Sequence, residues 1–363
     1  MQRRSIALLA GVLAAGALAG AAEPGGPGER AVPPDDASCE YVGAWQRRER
    51  DTWTIYPGSQ MRFALRGRAR LALRSGLPAT LRVDVRRAGQ VVWDERVDQA
   101  DVALDGGTSA VPFTVTFLCA AADGFDASRP DAAGAELHVL GLTLQGDAAL
   151  SQPPPLRQAR IEFVGDSIAG GVVILGREGT WERNSNVALT YGFLVGEKLQ
   201  VPCRIRAYPG SGCAGIAGRY RFFRSGIPLD TNAPPDMVVV NTGANDREQE
   251  AVSYREQMRA LVDTILGMYP AARVVLLNFC RMTPNRLPAL RELARGYPGG
   301  RVSAFDARPY LVGYSDEGVH PDVESHRRLA EALAAYIAPL LQPGAGNPQP
   351  ARPPNALAAE VAR

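Results

Sequence analysis

A chain of 363 residues is longer than one small hydrophobic core usually organises, so two domains are expected. Its 40 basic and 38 acidic side chains leave a net charge of only +2. Arginines alternate with acids, as in RVDVRRAGQVVWDERVD, so the chain lacks the basic stripe of a nucleic-acid binder.

The chain opens MQRRSIALLAGVLAAGALAGAAEP, a basic start followed by an unbroken run of apolar and small residues up to Glu23. This is the pattern of a secretory signal peptide over 1–22, cleaved near Ala21 or Ala22. A transmembrane anchor needs roughly 20 strongly apolar residues, and this run from Ile6 is shorter and rich in Ala and Gly. The mature chain is therefore expected to be secreted or periplasmic, without a stable membrane span. Residues 23–37, rich in Gly and Pro, read as a flexible leader, and 342–363, rich in Pro and Ala, as a flexible tail.

Five cysteines, Cys39, Cys119, Cys203, Cys213 and Cys280, would meet an oxidising compartment. Their spacing suggests Cys203 with Cys213 and Cys39 with Cys119, leaving one over. They lack C-x-x-C spacing and a neighbouring His, which argues against a metal site.

From 38 to 152 short alternating segments recur: Met61–Phe63–Leu65, Leu71–Leu73, Leu81–Val83–Val85, Val115–Phe117 and Leu137–Val139. Period-two patterning broken by Gly, Asp and Pro predicts a β-sandwich or jelly roll. The pattern changes at SQPPPLRQAR, which places a domain boundary at Pro153–Arg157. From 158 to 341 apolar segments (IEFVG, CRIRAY, DMVVVNT, RVVLLNF, RVSAF) alternate with amphipathic stretches. Tyr254, Met258, Leu261, Val262, Ile265 and Leu266 fall on one helical face, as do Leu329, Leu333, Tyr336, Ile337 and Leu340. This alternation predicts a three-layer α/β/α domain on a parallel sheet, with functional residues beyond the carboxyl ends of the strands.

Candidate chemistry falls at those ends. The first strand of this half runs into Gly165-Asp166-Ser167, which puts a hydroxyl and its own backbone N–H at a strand-to-helix junction. The same tripeptide also suits an ordinary helix cap. The third strand ends in Asn241-Thr242-Gly243-Ala244-Asn245-Asp246, where a carboxamide can donate to an oxyanion or simply make a turn. Of three histidines, His138 lies in an alternating strand and His326 inside a helix, both read as structural. His320 follows Ser315-Asp316-Glu317-Gly318-Val319 in a loop, and a base held by a carboxylate is what a serine nucleophile needs.

At these residues the chain resembles a known family: IEFVGDSIAGG, VVVNTGAND and DEGVHPDVESH are similar to the first, third and fifth blocks of SGNH (GDSL) hydrolases. SGCAG would be the second block, giving Gly212 as a backbone oxyanion donor, with Gly210 as the alternative register. A β-sandwich ahead of the hydrolase domain, together with ALTYGFLVGEKL, looks more narrowly like carbohydrate esterase family two. Members of that family remove acetyl groups from plant polysaccharides such as xylan.

The resemblance implies Ser167 as nucleophile, His320 as general base, and Ser167, Gly212 and Asn245 as oxyanion donors. Gly165, Asp166, Gly243 and Asp246 support the motifs. Two departures stand out. The position three residues before the histidine is Glu317, with Asp316 one further back, so either acid or a backbone carbonyl is left to orient His320. Ala169 and Ala244 stand where Thr is common.

The implied activity is carboxylic-ester hydrolysis with no cofactor and no metal, the partner being an acylated carbohydrate or another small ester. A lipid or aryl esterase, an O-acyltransferase and an inactive glycan-binding module remain as rivals. For the last, Trp45, Trp53 and Trp93 are available to stack on sugar rings or to fill the core.

Overall fold

The structure, a computed structural model, describes residues 28–342 apart from 49, 77–79, 122–135, 225, 280–283 and 317. The expected signal peptide, nearly all of the expected tail, Cys280 and Glu317 lie outside the described residues.

The first half is antiparallel: β1 (Glu29–Val32), β2 (Glu40–Val42), β3 (Gln46–Arg47), β4 (Thr52–Thr54) and β5 (Gln60–Ser75) are followed by β6 (Thr80–Arg87), β7 (Gln90–Val97), β8 (Gln99–Asp105), β9 (Val111–Ala121) and β10 (Leu137–Ser151). The expected leader is thus partly a strand. Glu29 to Val32 pair with Gln145 to Leu142, Glu29 takes a bond from Arg70, and Val32 is buried.

Met61–Leu65 and Leu71–Leu73, which read as separate segments, belong to one strand. β5 pairs with β9 over Gln60–Leu65 and with β8 over Arg68–Arg74, changing partner at Gly67. Gly67 adopts φ +79° there and exchanges backbone bonds with Gly106 and Gly107. A Cβ on Gly106 would lie 2.0 Å from the Leu65 carbonyl oxygen, so the backbones approach this closely only because the residue is glycine. Met61, Phe63, Leu71, Leu81, Val83, Val115, Phe117 and Leu137, from four strands, share one core with almost no exposure. Their common burial requires the sheet to fold over itself.

The second half comprises β11 (Ile161–Gly165), α1 (Trp181–Asn184), α2 (Tyr191–Leu199), β12 (Cys203–Ala207), α3 (Cys213–Arg219), β13 (Phe222–Arg224), β14 (Ile227–Pro228) and β15 (Met237–Asn241). These are followed by α4 (Ala251–Met268), β16 (Arg273–Asn278), α5 (Leu287–Arg295), β17 (Val302–Asp306) and α6 (Val323–Ile337). Five parallel strands run in the order β12-β11-β15-β16-β17. Alternate strand residues face opposite layers. Phe163, Val239 and Val275 pack with Tyr191 of α2 and Leu329 and Leu333 of α6, while Val164, Val238 and Val274 pack with Ile216 of α3, Met258 of α4 and Leu290 of α5. The order of strands reverses beside β11, and at such a switch point a site is expected beyond the carboxyl ends of β11 and β15.

The two halves share a core. Trp53, Ile55 and Tyr56 of the first half are buried in the cluster under α3 and α4, and Tyr56 donates its hydroxyl to the Phe223 carbonyl at 2.7 Å. Beneath them Glu162 of β11 accepts from Arg204 and Arg206 of β12, with Glu162 and Arg206 both fully buried. The Arg206 guanidinium lies 4.7 Å from the Tyr220 ring centroid and donates to Tyr208 and to the Phe222 carbonyl.

Neither expected disulfide is made. Cys203 starts β12 and Cys213 lies beyond its far end, at the start of α3, where its thiol meets Thr242 at 2.9 Å. A strand of that length separates its ends by about 13 Å, about twice the Cα separation of roughly 7 Å that a disulfide can span. Cys39 precedes β2, whereas Cys119 lies opposite Arg82 in β9, and burial raises both thiols to about 12. Among the described residues no helix is long and apolar enough to cross a membrane, and no cluster of His, Cys, Asp and Glu could hold a metal ion.

Removing Glu162 while leaving the arginines strands a charge in the core. Glu162→Ala is expected to cost about 3–5 kcal/mol, read as a lowered midpoint of urea unfolding. A midpoint near that of the parent would show that the ring and hydrogen-bond contacts of Arg206 with Tyr208, Tyr220 and the Phe222 carbonyl suffice to hold its charge in the core.

Candidate active site

Parallel pairing sets Gly165 opposite both Asn241 of β15 and Ala207 of β12, so three strands end side by side. The chain leaving each end supplies one part of the site. After β11, Asp166 accepts the Ile168 N–H at 3.0 Å and turns the chain, leaving Ser167 part-exposed. A side chain on Gly165 would meet the Asn241 carbonyl oxygen at 2.7 Å, so glycine lets the two strand ends close up. The Ser167 N–H has no hydrogen-bond partner among the described residues.

After β12 the chain turns at Gly210, with φ +73°, and enters α3 at Gly212. Gly212 has no side chain with which to cap that helix. The cap comes from Asp246, beyond β15, whose carboxylate accepts the Cys213 N–H at 3.2 Å. A Cβ on Gly212 would sit 2.1 Å from Asp246 Oδ1, so only glycine tolerates this contact. Asn245 donates through Nδ2 to the Ser211 carbonyl at 3.3 Å, which leaves one amide hydrogen over, and the Gly212 N–H has no partner among the described residues. Gly212 therefore packs against the Asn245–Asp246 turn, whereas Gly210 is exposed.

The third part arrives from the carboxyl terminus. His320 lies in the loop before α6, and its Nε2 is 2.9 Å from Ser167 Oγ, 153 residues away. Its Nδ1 is 2.5 Å from Asp316 Oδ2. The other oxygen of Asp316 accepts the backbone N–H groups of Val319 at 2.9 Å and His320 at 2.8 Å. Burial works to raise the Asp316 carboxyl, but the bonds from His320 and these backbone groups hold it below the usual carboxylate value. The Nδ1 partner is thus Asp316, one residue earlier than the ordinary spacing. Gly318, with φ +97°, provides the extra bend between acid and base. The two acids were both legible in SDEGVH, and this glycine is the signal that favours the more distant one.

The other expected residues fall away from this point. His326 is buried in α6, stacks on Tyr191 and accepts its N–H at 3.1 Å, and burial drives the imidazole down to about 3. His138 is buried between Asp51, at 2.6 Å, and Glu136, at 3.1 Å. Trp53 is core, while Trp45 and Trp93 are partly buried against the first core, with Trp45 Nε1 donating to the Val42 carbonyl at 2.9 Å. Gly243 adopts φ +126° and lets the turn after β15 begin. In the sequence Asp246 reads only as motif support, whereas its capping of α3 joins two segments that no local sequence pattern connects.

The pattern of the GDSL-like lipase/acylhydrolase family matches residues 163–338. No curated protein is matched. Among solved structures, a family two carbohydrate esterase from Clostridium thermocellum, in complex with cellohexaose, aligns at TM-score 0.70 and 22% identity, covering 84% of this chain and 99% of that one. An acetyl xylan esterase from the rumen bacterium Butyrivibrio proteoclasticus aligns at 0.72 and 13%, covering 86% and 99%. A salicylyl-acyltransferase from a tetracycline biosynthetic pathway aligns at 0.61 and 14%, covering 88% and 99%. At these identities the likeness is one of fold, and it extends through both halves of the chain.

One carboxyl of the site has an unusual environment. Asp166 has no exposure, and its Oδ2 has no partner among the described residues. Burial pushes it up to about 7, against the pull of the Ile168 N–H and with the charge of Asp246 adding to the rise. A folded-state value above the unfolded one, about 3.9, means that ionisation favours unfolding: the cost begins above about pH 4 and grows until about pH 7. Asp166→Asn keeps the acceptor for Ile168 but removes the titration. Between pH 4 and 8 the variant is expected to lose on the order of 1–3 kcal/mol less stability than the parent in urea titrations. Identical pH slopes would show Asp166 to be ordinary.

Proposed function

We propose, from the membership of residues 163–338 in the GDSL-like lipase/acylhydrolase family, that this carboxylic ester hydrolase removes acyl groups through an acyl-enzyme on Ser167, with O-acetyl groups on carbohydrate as substrate. The observation that carries this reading is the continuous chain Ser167 Oγ, His320 Nε2, His320 Nδ1, Asp316 Oδ2, with separations of 2.9 and 2.5 Å.

In the first step His320 Nε2 takes the hydroxyl proton as Ser167 Oγ bonds to the ester carbonyl carbon, and the carbonyl oxygen takes up the negative charge. The unpartnered N–H groups of Ser167 and Gly212 and the spare amide hydrogen of Asn245 are the donors proposed for that oxygen. Collapse breaks the bond to the leaving alcohol, which receives the proton from His320. Water then repeats the sequence: His320 takes its proton, the tetrahedral species releases Ser167, and the acid departs. Asp316 holds the imidazole so that Nε2 is the acceptor and stabilises the imidazolium between steps.

The carbohydrate substrate is supported by the fold shared, over 84–86% of this chain, with a carbohydrate esterase in complex with cellohexaose and with an acetyl xylan esterase. The amino-terminal pattern supports export. Within this reading Pro153–Arg157 is the domain boundary, in the coil between β10 and β11. A second reading, transfer of the acyl group to an acceptor other than water, is favoured by the alignment with a salicylyl-acyltransferase.

The parent is expected to release acetate from acetylated xylan and from p-nitrophenyl acetate, and Ser167→Ala to lose at least about 10³-fold of kcat/KM on both. Preference for longer acyl chains with no release from acetylated sugar would overturn the carbohydrate substrate, and an acylated product on an added alcohol would select transfer. For the acid, Asp316→Asn is expected to lower kcat by about 10²–10⁴-fold and Glu317→Gln to leave it within about twofold. The reverse order would assign the role to Glu317.

A further inference from the structure

Residues 171–186, directly behind the nucleophile, form a closed loop. Its neck is the bond from the Asn186 N–H to the Gly171 carbonyl at 3.0 Å, where a Cβ on Gly171 would lie 2.5 Å from the Asn186 oxygen. Inside it the Leu175 N–H reaches the Asn184 carbonyl and the Asn184 amide reaches the Glu178 carbonyl. Val173 has φ +45°, a left-handed conformation that a β-branched side chain adopts only under constraint. The constraint is visible: its N–H donates to Ser185 Oγ at 3.1 Å, its carbonyl accepts the Gly176 N–H at 2.9 Å, and its side chain is buried. The strained turn carries the chain outward to Arg177, whose Nη2 lies 3.1 Å from Asp316 Oδ2.

That oxygen is the one facing His320 Nδ1. With Val319 and His320 N–H groups on Oδ1, every bonding direction of a fully buried carboxylate is used, and Arg177 supplies the only direction that comes from another loop among the described residues. We propose that Arg177 is a positioning residue of this site: it ties the loop behind the nucleophile to the acid and so fixes the plane of the Asp316–His320 pair relative to Ser167. The inference rests on the esterase reading for its kinetic consequence. Arg177 also carries a charge that opposes an imidazolium. More than half of its side chain lies in water, which screens that charge, while the directional bond to a buried oxygen is retained. The same loop is joined to the first half of the chain by Arg96, which donates to Thr180 Oγ1 at 3.2 Å.

The test is a kinetic cycle with a spectroscopic control. On p-nitrophenyl acetate, Arg177→Ala is expected to lower kcat about 3–10-fold with KM within about twofold of the parent, and Arg177→Lys, a point charge without the planar fork, to recover only part of the loss. In an Asp316→Asn background Arg177→Ala is expected to change kcat by less than about twofold, because the residue acts through that carboxylate. An equal loss in both backgrounds, or a change confined to KM, overturns the proposal. In parallel, the Nδ1–H proton of His320, identified by its loss in Asp316→Asn, is followed by NMR. It is expected to shift or broaden in Arg177→Ala, and an unchanged signal overturns the proposal without reference to activity. A parent that turns over no ester but whose signal responds would sink the esterase reading and leave the positioning role intact.

Discussion

The site depends on register. Because β11, β12 and β15 pair in parallel with Gly165, Ala207 and Asn241 in line, three chain segments are released from the sheet at one level. A shift of one residue in either pairing would turn Ser167 or the Asn245 turn toward the opposite layer. The register is enforced from both sides, since Val164, Val238 and Val240 alternate into one helical layer and Phe163 and Val239 into the other. Apolar packing that has nothing to do with chemistry therefore sets the distance between the proposed nucleophile and the proposed oxyanion donors.

Above the sheet edge, carboxylates act as the joints. Asp246 caps α3 from outside and fills the space at Gly212, so the turns after β12 and β15 are joined. Burial raises its carboxyl, with the backbone and thiol bonds of Cys213 pulling the other way. Asp316 does the same on the other side, gathering its own loop through two backbone N–H groups and reaching His320 and the loop behind Ser167 through one oxygen. Each joint is a short acid meeting main-chain donors, which fixes geometry at little entropic cost.

Much of this was legible in the residues, and the remainder was illegible for physical reasons. IEFVG, DMVVVNT and RVVLLNF are apolar on both faces, as buried parallel strands are, so the α/β half and its strand ends were legible, whereas Ser167, Asn245 and His320 equally suited a cap, a turn and a loop and were singled out together by the family resemblance. The antiparallel half was legible as alternating strands. That Met61 and Leu73 lie on one strand was not, because the change of partner at Gly67 is a long-range event. The Cys203–Cys213 pairing failed for a like reason: closeness in sequence placed them together, whereas the intervening strand β12 carries Cys213 beyond its far end, to the start of α3. The choice of Asp316 rested on a turn that Gly318 permits but that spacing rules do not encode, and Arg177 had no local signature at all.

The two acids flanking the Ser167–His320 pair show why their environments must differ. On the proposed mechanism negative charge develops beside Ser167 while positive charge develops on His320. A second anion directly under the nucleophile would oppose the first of these, and an anion behind the imidazole supports the other. The chain separates the cases by the number of donors each carboxyl receives. Asp316 has backbone, imidazole and guanidinium donors on both oxygens and stays charged. Asp166 has the Ile168 N–H on one oxygen, burial on the other, and the like charge of Asp246 nearby, so its proton is held until about pH 7. Two aspartates of identical intrinsic acidity are thereby given opposite charge states across the weakly acidic range, Asp166 by burial and the like charge of Asp246, Asp316 by hydrogen bonds that outweigh its burial.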